Sequence, residues 1–277
     1  MYLPAQGDFD LDRIAVSGQC FRWEPTEGGG YRIPFRDRCL HIRNTEDGGY
    51  TLDCSESEFR TLWRDYFDLE TDYAVLRDRV DAEQDPFLFR AVQAGRGIRI
   101  LRQDPWETLV SFIISQNRNI PAIRRSVELL CRVAGECLED LQGQVFYTFP
   151  APERILRLED AALTSCRLGY RAKYVLAAAR AVAEGSLSLD TLAEAPEEET
   201  MTALMGLFGV GIKVASCVSL FGFHHLDAFP VDVWIRRVLE TEYPDGYPRD
   251  RYSPYNGVYQ QYMFACYRSQ GKEKSHG

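Results

Sequence analysis

Lys213 and Asp232 are the two residues of this 277-residue chain whose types and setting point most directly to chemistry. Lys213 falls in the first turn of an apolar helix expected from about Ile212 to Phe223. That is the positive end of the helix dipole, so a lysine there is either a tolerated surface residue or one kept for its reactivity. The dipole and desolvation both favour the neutral amine, which is a nucleophile. Asp232, in Phe229-Pro230-Val231-Asp232-Val233-Trp234, stands where a proline-bounded turn enters another helix, and its plainest role is to cap that helix. Beside Lys213 it gains a second role, because a carboxylate stabilises a developing oxocarbenium ion. Gly206, Gly209 and Gly211 precede the lysine at a spacing that no ordinary helix or strand tolerates, so a glycine hairpin joins two helices here. Amides of such a hairpin at a helix N-terminus bind a phosphate without reading sequence. The lysine then lies within a side-chain length of a deoxyribose, an arrangement suited to covalent amine catalysis on DNA.

The elements that must position these residues change character along the chain. Residues 1 to about 98 hold short β-prone segments, Arg13–Trp23, Tyr31–Ile42 and Tyr50–Asp53, separated by the turn-rich stretches Thr26–Gly30 and Asn44–Gly49. Helical patterns follow at Glu56–Phe67 and Asp72–Arg79, so this part reads as a small α+β domain built on an antiparallel meander. From Leu101 on, strand signals vanish. Asp104-Pro105 starts a helix over Thr108–Ser115, a polar turn Gln116–Asn119 follows, and a second helix runs from about Pro121 to Val133. Further helices are expected at Pro152–Arg157, Arg171–Ala183, Pro196–Met205, Lys213–Phe223, Val231–Leu239 and Pro254–Ser269, with a disordered tail over Gly271–Gly277.

Composition narrows the function classes. No apolar run is long enough to span a bilayer and the first residues lack a signal-peptide pattern, so a soluble, cytoplasmic protein with no membrane partner is expected, at a bacterial nucleoid rather than in an organelle. The eight cysteines show neither CxxC pairs nor zinc or iron–sulfur spacing and read as reduced packing thiols. A net charge of −9 argues against a general polyanion binder. Yet Cys166–Arg180 holds four basic residues and no acid, and Arg118, Arg124 and Arg125 cluster likewise. A small basic face on an acidic body suits local contact with DNA.

The stretch GVGIKVASC…AFPVDV resembles the helix-hairpin-helix and Gly/Pro-Asp signature of base-excision DNA glycosylases, the HhH-GPD superfamily. Within it the chain resembles the 8-oxoguanine DNA glycosylases: SGQCFRW at Ser17–Trp23, ILRQDPWETLVSFIISQNRNI at Ile100–Ile120, LGYRAKYV at Leu168–Val175 and the hairpin occur in the family's order, and Gly257–Phe264 (GVYQQYMF) aligns more weakly. The resemblance implies an α+β fold: an N-terminal, TBP-like antiparallel sheet domain over residues 1–98 packed on a mainly α-helical core over 99–277, with the helix-hairpin-helix at about 196–223. It implies a bifunctional enzyme that excises 8-oxoguanine from duplex DNA and then cleaves the abasic site by β-elimination.

Carried over by position, Lys213 would attack C1′ and form the Schiff base while Asp232 assists electrostatically. The Gly18 carbonyl would accept N7–H of 8-oxoguanine, Cys217 and Phe264 would sandwich the flipped base, and Gln260 would read its Watson–Crick edge. Tyr170 would wedge into the vacated stack, Asn117 and Arg171 would hold the estranged cytosine, and Gly209, Gly211 and Val214 would contact DNA at the hairpin. No metal or organic cofactor is implied for the chemistry, although hairpin carbonyls could bind a structural cation, and a monomer is expected. Each role has a plainer rival: packing for Cys217, a solvated basic face for Tyr170 and Arg171, an ordinary helix-surface glutamine for Gln260, a strand turn for Gly18. His224 and His225 receive no role. The chain departs from the family pattern at Phe208, where proline is usual, at Trp234, often histidine, and at Ala122, where eukaryotic members carry an arginine that reads the opposite cytosine. Arg124, two residues on, would point elsewhere on the helix, so weaker discrimination for cytosine is expected. Rival functions are a monofunctional alkyl-purine glycosylase, which has the aspartate without the lysine, and a non-catalytic hairpin protein that binds DNA.

Overall fold

The computed structural model describes residues 1–273, with side chains to Arg268. A five-stranded antiparallel sheet in the order β1-β5-β4-β3-β2 forms the N-terminal part, from β1 (Tyr2–Leu3), β2 (Glu24–Pro25), β3 (Tyr31–Phe35), β4 (Arg38–Asn44) and β5 (Tyr50–Leu52). The segment expected as one strand at Tyr31–Ile42 folds into a hairpin that turns at Arg36, with Ile33 opposite Leu40 and Phe35 opposite Arg38. The strand expected at Arg13–Trp23 is absent. Asp10 accepts a hydrogen bond from the Arg13 amide (3.0 Å) and caps a short helix, α1 (Leu11–Val16). Leu11, Ile14 and Ala15 recur at helical spacing and bury against the sheet, which overrides the β-propensity of the segment. Trp23, Ile33, Leu40, Ile42, Trp63 and Phe67 fill the core beneath it.

The sheet's apolar cluster runs from Leu3 to Phe67 and takes in Leu101. A second cluster begins at Tyr73 and includes Phe21. Residues 73–98, ahead of the boundary expected at 98, therefore pack with the helices; they include α2 (Pro86–Gly95), which lies along the last helix. The helices that matter for the site are α3 (Pro105–Ser115), α4 (Ile120–Ala134), α5 (Ala172–Ala183), α6 (Glu197–Met205), α7 (Ile212–Gly222), α8 (Val233–Glu242) and α9 (Asn256–Glu273). α7 packs against α3, and both are buried over most of their length. α9 reaches Glu273; beyond it, the expected tail lies outside the described residues.

Strand signals do not vanish after Leu101. A two-stranded hairpin, β6 (Cys137–Glu139) and β7 (Val145–Tyr147), grows from the far end of α4. Its turn is organised by Asp140, whose carboxylate accepts from the Gln142 and Gln144 amides, from Arg32 Nε (2.9 Å) and from the His41 ring (2.8 Å). Burial raises that carboxyl, and the bonds from His41, the Gln144 amide and Arg32 outweigh it, holding the group at about 2. A local hairpin with only three residues per strand is marginal alone, so tertiary bonds from the sheet decide it.

Residues 98–103 form a strut between the two parts. Buried Arg99 donates to the carbonyls of Gly7, Asp8, Asp68 and Thr71. His224, at the end of the α7 segment, reaches both the Ile100 carbonyl (3.2 Å) and the Asp68 carboxylate (3.3 Å). The loop after α1 is bolted to the same strut by Gln19, which donates to the Arg99 carbonyl (2.8 Å) and accepts from the Leu101 amide (2.8 Å). The sheet part thereby carries one loop, Ser17–Cys20, to the edge of the helical part.

Candidate active site

The turn between α6 and α7 follows from its glycines. Gly209 has φ +85°, a region that side chains rarely adopt, and a Cβ there would lie 2.2 Å from the Tyr174 ring on α5. Gly211 is different: its φ of −94° suits any residue, and a Cβ would meet open space. The hairpin's own structure therefore accounts for Gly209 and leaves Gly211 without an internal reason to be glycine. No side chain caps α7, and Gly211 and Ile212 are exposed at its start. The amides of this first turn include that of Val214, whose side chain is buried. Gln116 donates to the Gly209 carbonyl (3.1 Å), tying the hairpin to the polar turn after α3.

Lys213, Cys217 and Phe221 follow one another at four-residue spacing and share one face of α7, which lines a cleft of about 440 Å³. That volume lies in the ordinary range of small-molecule pockets. Lys213 is half-buried with its Nζ 5.3 Å above the Phe112 ring, and Phe112 stacks on Phe221 and meets Phe21 edge-on, making an apolar floor. Burial pushes the Cys217 thiol up while the adjacent ammonium of Lys213 lowers it; the net direction is upward, which keeps it a neutral thiol. Asp232 caps α8 through one carboxylate oxygen, Oδ1, which accepts from the Ile235 amide at 2.8 Å. The side chain also lines the cleft.

The remaining walls come from distant segments. Gly18 has φ +85°, and its Cβ position lies 3.6 Å from the Phe264 ring on α9, so the loop and the ring face each other across a narrow gap. Gln260 is 3% exposed and donates to the Pro230 carbonyl (2.9 Å), just ahead of Asp232. Gly18, Lys213, Cys217, Asp232, Gln260 and Phe264 thus meet in one cleft, although they span nearly the whole chain.

The expected DNA-contacting residues form a ridge beside it. Asn117 sits at φ +52° in the turn after α3 and donates to the Tyr170 hydroxyl (3.1 Å). Tyr170 is 47% exposed. Arg171 is 6% exposed, and its guanidinium donates to the carbonyls of Gln116, Asn117 and Leu168 while lying 4.3 Å from the Tyr170 ring. It holds the strained Asn117 turn in shape. Tyr174 and Phe208 extend the ridge toward the hairpin, and Phe208 is exposed. Arg124 turns away, donating to the Ala15 carbonyl (2.9 Å), whereas Ala122 is exposed near the turn.

Sequence reasoning missed several lining residues. Phe221 was legible from its spacing to Lys213 and Cys217, but Phe21, Phe112, Arg118, Gln261 and Arg268 carry no local signal because they are brought together from four separate segments of the chain. Arg268 lies 5.4 Å from the Phe264 ring and donates to the Val16 carbonyl, fixing that ring against the Gly18 loop. Among the described residues, Cys39, His41 and Asp140 bring possible ligand atoms within 4.8 Å of one another. The Asp140 oxygens there are filled by the bonds already described, and none of the three lines the cleft. Among the described residues, no helix is long and apolar enough to cross a membrane.

Comparison with known proteins gives the families and structures that the chain is similar to. The family model for the 8-oxoguanine DNA glycosylase N-terminal domain matches residues 1–109, and that for the HhH-GPD superfamily of base excision DNA repair proteins matches residues 110–244. An N-glycosylase/DNA lyase of Saccharomyces cerevisiae is 36% identical over 203 residues, 69% of this chain, and the match spans about half (54%) of the yeast protein. A probable N-glycosylase/DNA lyase of Methanothermobacter thermautotrophicus is 31% identical over 274 residues, 88% of this chain and 86% of that one. The structure of Clostridium acetobutylicum 8-oxoguanine glycosylase/lyase with double-stranded DNA containing cytosine opposite 8-oxoG superposes with a TM-score of 0.88 and 33% identity, over 96% of this chain and 93% of that one.

Proposed function

The chain belongs to the 8-oxoguanine DNA glycosylases of the HhH-GPD superfamily, and from that premise we propose that it excises 8-oxoguanine from duplex DNA and cleaves the strand at the abasic site. The observation that carries the proposal is the convergence of Lys213 and Asp232 on one apolar-floored cleft. After giving up its proton, the Lys213 amine attacks C1′, the C1′–N9 bond breaks, and the base leaves with the bonding electrons and takes up a proton. The Asp232 oxygen not used in the cap stabilises positive charge on the sugar. The sugar ring then opens to a Schiff base on Lys213; loss of a C2′ proton expels the 3′ phosphate. The base stacks between Cys217 and Phe264, the Gly18 carbonyl accepts N7–H, and Gln260 meets the Watson–Crick edge. An acceptor facing N7 rejects guanine, whose N7 carries a lone pair there. No metal enters these steps, and a cation held by hairpin carbonyls would serve only to support the phosphate contact.

The test is release of free base and strand scission from duplexes carrying one 8-oxoguanine or one 3-methyladenine. Turnover confined to the alkylated duplex would replace this reading with that of an alkyl-purine glycosylase. Lys213 already favours the first outcome, since a hydrolytic glycosylase needs only the aspartate.

The two hairpin glycines separate folding from DNA contact. Gly209→Ala should lower Tm by at least roughly 5 °C, because it combines a positive φ with a collision at Tyr174. Gly211→Ala should leave Tm unchanged and weaken binding to an abasic-site duplex by about tenfold or more, since its methyl group would hold a phosphate off the α7 amides. Melting curves and titrations at fixed salt decide between them; equal affinity for Gly211→Ala and the parent would remove the hairpin from the interface.

Opposite-base preference should be relaxed. Ala122 offers no donor to the estranged base, and Arg124 is held at α1. One bidentate base contact carries about 1–3 kcal/mol of discrimination, so excision rates opposite C, T, G and A should fall within about tenfold of one another. A strict cytosine requirement would show that Asn117, Arg118 or Arg171 reads that base after all.

A further inference from the structure

Gln260 and Gln261 form a hydrogen-bond relay whose polarity is dictated from one end. The Pro230 carbonyl can only accept, so the Gln260 amide must turn its Nε2 toward it, at 2.9 Å. The Gln260 Oε1 then faces Gln261 and must meet a donor, and Gln261 Nε2 supplies it at 2.9 Å. Gln261 has no choice left: its own Oε1 points the other way. Gln261 is 4% exposed, its side chain lines the cleft, and its Oε1 is buried without a hydrogen-bond partner among the described residues. A buried carbonyl oxygen left unpaired costs about 1–3 kcal/mol, so an orphan at a cleft wall calls for a donor from what enters the cleft.

We propose that Gln261 is a second reader of the flipped base, its Oε1 accepting a hydrogen bond from the exocyclic 2-amino group. The inference rests on the proposed activity toward 8-oxoguanine. The Watson–Crick edge of that base carries two neighbouring donors, N1–H and the 2-amino group, beside one acceptor, O6. Gln260 retains one free lone pair on Oε1 for N1–H, and the donor left over is the 2-amino group. The relay leaves two carbonyl oxygens as acceptors at the cleft wall and so selects a guanine-type edge over an adenine-type edge, whose N1 is itself an acceptor and is repelled. Pro230 sits two residues before Asp232, so the same relay couples the base-reading wall to the turn that carries the carboxylate.

The test compares 8-oxoguanine with 8-oxoinosine, which lacks only the 2-amino group, in otherwise identical duplexes, using the full-length protein and its Gln261→Met variant. For the parent, kcat/KM should be about 10- to 100-fold lower on 8-oxoinosine, the cost of leaving the Gln261 oxygen unpaired. In Gln261→Met, which keeps the side-chain volume and removes the acceptor, the two substrates should converge to within about threefold. Parallel losses on both substrates, with the gap intact, would overturn the inference and reduce Gln261 to a residue that orients Gln260. Equal rates of the parent on both substrates would overturn it too, and that arm needs no variant to fold. Failure of the parent to excise either base would instead overturn the proposed activity, and the inference with it.

Discussion

Replacing Lys213 with glutamine is expected to abolish the covalent adduct trapped by borohydride on an 8-oxoguanine duplex and to lower base excision by at least about 10⁴-fold, the scale on which a lost nucleophile is felt. Glutamine keeps most of the aliphatic stem over the Phe112 ring, so the cleft retains its floor and DNA affinity should stay within about tenfold of the parent. The trapped species reports the Schiff base directly, because an imine between an amine of the protein and the opened sugar is reduced to a stable amine. An adduct that persists in the variant would move the nucleophile elsewhere. Excision by the parent without any adduct would point to a water activated by Asp232, a hydrolytic mechanism for which the amine is unnecessary.

The second large effect separates two roles that the Asp232 position combines. Its Oδ1 accepts the Ile235 amide and so caps α8, a bond that asparagine makes as well as aspartate. Asp232→Asn should therefore keep Tm within about 1 °C of the parent while kcat falls about 10²- to 10³-fold, the loss of one preorganised charge at the site where positive charge develops. Asp232→Ala removes both the charge and the cap. It should show the same loss of kcat together with a Tm lower by roughly 2–4 °C, corresponding to about 1 kcal/mol of capping. Single-turnover rates and melting curves of the two variants settle the matter. Full activity in Asp232→Asn would leave the aspartate as a helix cap and nothing more.

These expectations depend on residues of two kinds, and the sequence speaks to them unequally. Lys213 and Asp232 were legible because their settings are local: a lysine in the first turn of an apolar helix, an aspartate after a proline-bounded turn, three glycines that forbid regular structure between them. The helical core was legible for the same reason, since caps and 3.6-residue periodicity are written in adjacent residues. The segment Arg13–Trp23 was misread because its β-prone composition competes with a cap at Asp10 and a buried triad at Leu11, Ile14 and Ala15 that only the sheet above makes favourable. The β6–β7 hairpin was missed because Asp140 is held from Arg32 and His41, about a hundred residues earlier.

By itself, then, the chain determined where a lysine in the first turn of an apolar helix, a carboxylate and a tight glycine turn would occur, and its motif order pointed to the family. Tertiary structure decided which wall each faces. Only folding carries the Gly18 loop, through Gln19 and the 98–103 strut, to face the Phe264 ring. Only folding directs Arg171 onto backbone carbonyls and leaves the Gln261 oxygen unpaired among the described residues at the cleft. The physical reason is that caps, turns and periodicity arise between neighbours in sequence, whereas a cleft assembled from loops and five helices exists only once long-range packing has brought them together.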